Sequence, residues 1–140
     1  MGIFFMDTNE IEEEVKASFG ATKDYLFTIK HDDLKTGLAK WLALSPLLYS
    51  SDASRNFTIY FSPKGIYEKE NGNPLSKSFV LLPWNEIEDF QVEMKSKKAF
   101  LVFWHLGKRV GYEVPFNGRM CKGNEERLQA LQEKNWNRVD

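Results

Sequence analysis

Between Phe57 and Phe116 the apolar residues recur at every second position, in short blocks divided by turn signals, and this period narrows the possible folds more than any other feature. In "FTIYF" (57–61), Phe57, Ile59 and Phe61 fall on one face and Thr58 and Tyr60 on the other. "SPKG" then turns the chain into "IYEKE" (66–70), and "NGNP" (71–74) turns it again before "SFVLL" (78–82). A loop or helical turn over 83–87 leads into a strand that should hold Phe90, Val92 and Met94 inward and Gln91, Glu93 and Lys95 outward. After "KSKK", the block "AFLVFWH" (99–105) is apolar on both faces, so its outer side also needs a cover. "LGKR" is the next turn, and "VGYEVPF" (110–116) points Val110, Tyr112, Val114 and Phe116 inward. Turns this short join antiparallel neighbours, because a parallel pair needs a crossover of a dozen or more residues.

The flanking segments change to a helical period. "DTNEIEEEVKASF" (7–19) offers Asp7 as a cap, Glu10 three residues on, and Ile11, Val15 and Phe19 along one side. "KDYLFTIK" (23–30) reads as a strand. In "DDLKTGLAKWLALSP", Leu34, Leu38, Trp41, Leu42 and Leu44 gather on one side of a helix that ends near Ser45-Pro46, and Leu47, Leu48 and Tyr49 continue the apolar surface. "NEERLQALQEKNW" (124–136) predicts a closing helix with Asn124 as cap and Leu128, Leu131 and Trp136 as its apolar side. The expected fold is α+β: an antiparallel β-barrel or sandwich of about seven strands, with an N-terminal helix, a helical insertion after the first strand and a C-terminal helix.

A length of 140 residues suits one domain, read here as a helical extension over 1–20 and the strand-rich unit over 21–140. With 19 Lys plus Arg against 20 Asp plus Glu, the chain has no overall field to attract nucleic acid. Its single cysteine permits no internal disulfide, and "MGIFFMD" lacks the basic start of a signal peptide, so a cytoplasmic protein is expected.

The strands from Phe57 to Phe116, the "FTIYFSPKGIYEKE" hairpin, the "LLPWNEIEDFQVEMKSKKAFLVFW" unit and the closing helix at 124–136 resemble a bacterial pleckstrin-homology-like domain, over roughly residues 21–136. Leu82-Pro83-Trp84-Asn85-Glu86-Ile87 is similar to that family's strand ending in an Ile/Leu-Pro step, followed by a polar turn and an Ile that opens the next strand. The resemblance implies a barrel of about seven strands plugged at one end by the last helix. It further implies a binding scaffold rather than an enzyme, with ligands ranging from lipid headgroups to peptides. Two features depart from it: the helical insertion, and the lack of the dense Lys/Arg cluster that phosphoinositide-binding members carry between their first strands.

The chemistry-bearing residues form no catalytic or metal-binding pattern, and neither a cofactor nor a metal is expected. His31 and His105 have no ligand partners at suitable spacing; Glu86, Glu88 and Asp89 read as a solvated turn, and Cys121 as a small apolar residue before the last helix. Lys95, Lys97 and Lys98 in one turn and Lys108 and Arg109 in the next are expected at the same end of a barrel. There Lys97, Lys98, Lys108 and Arg109 would make a weak, salt-sensitive site for anionic lipid. The apolar insertion is the sharper candidate, with Leu38, Trp41 and Leu42 as partner-binding residues. It should be covered by the outer face of strand 99–105, by a second copy in a dimer, or by a membrane interface. The expected function is therefore a non-enzymatic module that binds a protein partner or itself through this insertion; the alternative is a peripheral membrane module.

Overall fold

The computed structural model describes residues 8–32, 56–71, 78–118 and 121–138. Helix α1 (Thr8–Phe19) is followed by β1 (Tyr25–Asp32), β2 (Asn56–Ser62), β3 (Gly65–Glu70) and β4 (Val80–Pro83). A single 3-10 turn at Trp84–Glu86 then leads into β5 (Ile87–Met94), β6 (Lys98–His105), β7 (Lys108–Pro115) and helix α2 (Asn124–Glu133). The seven strands form one antiparallel sheet in the order β4-β3-β2-β1-β7-β6-β5, and among the described residues β4 and β5 are its unpaired edges.

The alternation in the sequence becomes an inner face. Leu26, Ile59, Phe61, Ile66, Leu82, Ile87, Leu101, Phe103, Tyr112 and Val114 join in one core, sealed by Leu128 and Leu131 of α2 and by Trp136. Each such side chain contributes about 1.5–3 kcal/mol when fully buried. Phe90, Val92 and Phe116 pack against this core as expected, whereas Met94, expected inward, is exposed at the end of β5. Gly65 is required at the β2–β3 corner: a Cβ there would lie 2.2 Å from the Leu82 carbonyl oxygen.

The outer face is covered over β1 and β2 by α1. Its Ile11 and Val15 are buried with Tyr25, Phe27 and Cys121, and Phe19 stacks on Tyr60 at a centroid distance of 3.9 Å. β6 is buried on both faces from Ala99 to Phe103, with the outward-facing Phe100 and Val102 each 2% exposed. The apolar insertion expected to cover them, including Leu38, Trp41 and Leu42, lies outside the described residues.

Where the ladder between β1 and β7 stops, one side chain continues the joint. β1 pairs with β7 from Asp32↔Val110 to Ile29↔Glu113. Two residues further along this register Phe27 meets Pro115, which has no N–H to donate. Asn124 fills the gap. Its Oδ1 accepts from the Phe27 N–H at 3.0 Å, and its Nδ2 donates to the carbonyls of Phe27 and Pro115, both at 2.8 Å. Asn124 was expected to cap α2, but the capping position belongs to Gly123 and no side chain caps the helix. The amide is instead spent on the ladder, where its donor and acceptor imitate a missing strand residue.

Beyond α2 the chain reverses hand. Asn135, Trp136 and Asn137 have φ of 53°, 58° and 60°, a run that L-residues adopt at a cost of about 1–2 kcal/mol each. The expected helix therefore stops at Glu133, and the left-handed turn swings Trp136 inward against Phe61 (5.1 Å) and Phe90 (5.6 Å). Asn137 Nδ2 ties the turn to Asp24 Oδ2 and the Phe61 carbonyl, at 2.9 and 3.0 Å.

Replacing Asn124 with Ala leaves the Phe27 amide and two carbonyls buried without this partner, at about 1–3 kcal/mol for an unsatisfied group. Asn124→Ala is expected to lower the unfolding free energy by about 3 kcal/mol or more in urea titrations; a loss under 1 kcal/mol would show that the joint is made elsewhere.

Candidate functional site

The basic residues singled out in the sequence do not form one patch. In the β6–β7 hairpin Lys98 lies opposite Pro115, whereas Lys108 lies opposite His105 at the other end of the strands. Successive turns of a meander fall at opposite ends of the strand they share, and at about 3.3 Å per residue β6 holds them more than 20 Å apart. The shared end expected for these turns is thus corrected by the pairing. Lys98 Nζ lies 2.9 Å from Glu113 Oε2, whose side chain is only 1% exposed, and it rests 5.6 Å from the Phe100 ring. Arg109 places its guanidinium 5.2 Å from the Trp104 centroid. Lys97 and Lys108 are exposed at the two separate ends.

Other titratable groups are absorbed by packing. On the inner face Lys30 Nζ reaches both oxygens of Glu68, at 2.8 and 2.9 Å, and the Tyr112 hydroxyl donates to Glu68 Oε1. Sequence reading missed this cluster because Lys30 and Glu68 look like exposed strand residues until the register places them beside Tyr112. Burial pushes the Cys121 thiol up to about 11 against the opposing pull of Arg127. Arg127 is itself lowered by burial, donates from Nε to the Tyr25 carbonyl at 2.9 Å and lies over the Tyr25 ring. His31 belongs to β1, but its side chain lies outside those described. Among the described residues no three His, Cys, Asp or Glu side chains converge as a metal site.

The remaining candidate surface lies where β5, β6 and β7 meet the β6–β7 turn. Glu88, Trp104 and Arg109 are direct cross-strand neighbours and form a row on the outer face. Beside Trp104 is a hollow of about 280 Å³ lined by Asn85, Glu86, Glu88, Trp104, Leu106 and Gly107. His105 Nε2 and Glu86 Oε1, 3.0 Å apart, hold the 3-10 turn against the end of β6. A shift of register between Glu88 and Gln91 marks a bulge, with Asp89 at φ 57°, and it bends the edge strand at this point. A second hollow of about 320 Å³, lined by Glu12, Lys16, Ala21, Thr22 and Lys23, has no large apolar side chain in its lining.

Leu106 makes the first hollow unusual. The two-residue connection Leu106-Gly107 has φ of 50° and 84°, and positive φ at both positions is the requirement of a type I′ turn. Asn-Gly or Asp-Gly meets that requirement without strain; Leu does not, and here it is also 70% exposed. Neither intrinsic preference nor burial explains this leucine. The sequence carries the signal as a Leu-Gly pair standing where a hairpin asks for Asn-Gly. Glu86 and Glu88, expected in a solvated turn, and His105, which has no ligand partner at suitable spacing in the sequence, are brought together here. Comparison with known protein families, curated proteins and solved structures finds no match.

Leu106→Asn is expected to keep the fold and raise the unfolding free energy by about 0.5–1 kcal/mol, because asparagine tolerates the left-handed conformation; equal or lower stability in urea titrations would mean that Leu106 makes stabilising contacts. At pH 8, three units below a pKa of about 11, only about one Cys121 thiol in a thousand is ionised. A thiol reagent at that pH is expected to modify the native protein at least 100-fold more slowly than the urea-unfolded chain, and equal rates would contradict the burial.

Proposed function

We propose that this chain is a pleckstrin-homology-like domain, its open seven-stranded sheet wrapped around the inner face, that acts as a non-enzymatic module for binding another protein. The seven antiparallel strands and the final helix and Trp136 packed into their core support the structural half of this reading. The observation that carries the functional half is Leu106: an exposed leucine held at a strained turn, beside a hollow walled by a tryptophan. Strain at a rigid hairpin tip is tolerated where the side chain serves something other than stability. Aromatic and aliphatic anchors at the centre of a small concave surface are also what protein-binding sites use.

The insertion with Leu38, Trp41 and Leu42 remains part of the proposal as a second apolar surface for a partner or another copy of the chain. Anionic-lipid binding through Lys97, Lys98, Lys108 and Arg109 is the weaker reading. Its cations are divided between two ends of β6, and Lys98 already has a carboxylate partner. Among the described residues no helix is long and apolar enough to cross a membrane.

Selection of random heptapeptides displayed on phage against the immobilised protein tests the reading. Enriched peptides are expected to bind with dissociation constants at least tenfold weaker when Leu106→Asn replaces the native chain. Peptides that bind both proteins equally would remove this hollow as the binding site.

A further inference from the structure

We infer that the hollow beside Trp104 recognises an extended segment of a partner protein in which an apolar side chain is flanked, two residues away on either side, by Lys or Arg. This rests on the protein-binding reading above and adds the chemistry of the partner. The charged side chains that line the hollow are both carboxylates, Glu86 and Glu88. Asp89, the next residue on the adjacent bulge, is exposed but does not line the hollow. The nearest cation in the same cross-strand row, Arg109, is placed over the Trp104 ring, and Trp104 stands between it and Glu88. The hollow therefore combines an apolar floor and tip with an acidic margin. An acidic segment would meet like charge there, and a wholly apolar one would place no cation beside Glu88.

The spacing of the recognised side chains follows from the strand geometry. Trp104 and Leu106 are two residues apart, and an extended segment repeats its side chains on one face at the same interval, about 6.6–7 Å. An apolar residue seated between Trp104 and Leu106 would bring residues two positions away toward the carboxylates on the β5 side. His105 already holds Glu86 in place at 3.0 Å, so the margin is preorganised rather than assembled on contact. Two exposed ion pairs together favour the cationic segment by about five- to tenfold over a neutral one at low salt, and that preference fades as salt screens it.

Four pentapeptides separate the contributions: Lys-Ser-Leu-Ser-Lys, the same peptide with Ser at both Lys positions, with Glu at both, and with Ser in place of Leu. Each is titrated into the nitrogen-15-labelled full chain, following the Trp104 indole and the Leu106 and Gly107 amides by NMR. The Lys-Leu peptide is expected to shift these signals saturably, at least fivefold more tightly than the neutral peptide, with the preference lost in 0.5 M NaCl (about a 4 Å Debye length) and in the Glu86→Gln, Glu88→Gln double variant. The Glu peptide and the peptide without Leu are expected to leave the signals in place. Equal binding of the Lys and neutral peptides at the hollow would overturn the charge rule while leaving protein docking intact. Equal binding of the peptide without Leu would make the hollow a simple cation site and overturn the inference. If none of the four moves these signals the inference fails, and the phage selection decides the wider reading independently.

Discussion

Where β1 and β7 part, the backbone of Phe27 meets a proline, and a buried amide and carbonyl without partners would cost several kcal/mol together. Asn124 supplies what Pro115 cannot, and three hydrogen bonds of 2.8–3.0 Å fix the start of α2 against the centre of the sheet. The helix can then lay Leu128 and Leu131 on the inner face, and the left-handed turn that follows can deliver Trp136 between Phe61 and Phe90. Arg127 extends the same joint: its Nη2 donates to Asn124 Oδ1 at 3.1 Å, and its Nε donates to the Tyr25 carbonyl. The core depends on this polar seam for its geometry, although the apolar burial supplies most of its free energy.

Most of the sheet was legible because period two is a local property: each block carries its own alternation, and a one-residue slip would move its whole apolar set to the wrong face. Phe57 to Phe61 and Val110 to Phe116 could be read in this way. What the period does not encode is how a side chain is used once strands from distant parts of the chain meet. Lys30 and Glu68 are separated by 38 residues, and only pairing through β2 and β7 turns them into a charged couple beside Tyr112. Asn124 has the residue type and position of a helix cap, so a local reading assigns it there. The competing demand, 97 residues away at Phe27, is invisible locally.

The candidate surface shows the same division. Asn85 and Glu86 come from the turn into β5 and Glu88 from the start of that strand, whereas Trp104, Leu106 and Gly107 come from the next hairpin, so the hollow exists only after β5 and β6 pair. The expected cationic patch failed for a geometric reason that the strand order itself contains. A strand between two turns has one at each end, and side chains in the two turns cannot share a surface unless the strand is very short. The apolar insertion stands out by hydrophobicity alone, whereas the oddity of Leu106 is conformational rather than compositional and shows only in its backbone.

The left-handed turn at residues 135–137 bears on how the chain reaches this structure during synthesis. Asp24 is held by Asn137, 113 residues later, and β1 has β7 as one of its two neighbours in the sheet. While the ribosome is still making the middle of the protein, β2, β3 and β4 can begin to pair, but β1 lacks its second neighbour and the inner face lacks Trp136. Contacts of such long sequence separation slow folding, and they leave apolar strands exposed in the meantime. A nascent chain of this topology therefore stays incomplete until nearly its last described residue has emerged, with its short hairpins as the structure that can form in the meantime.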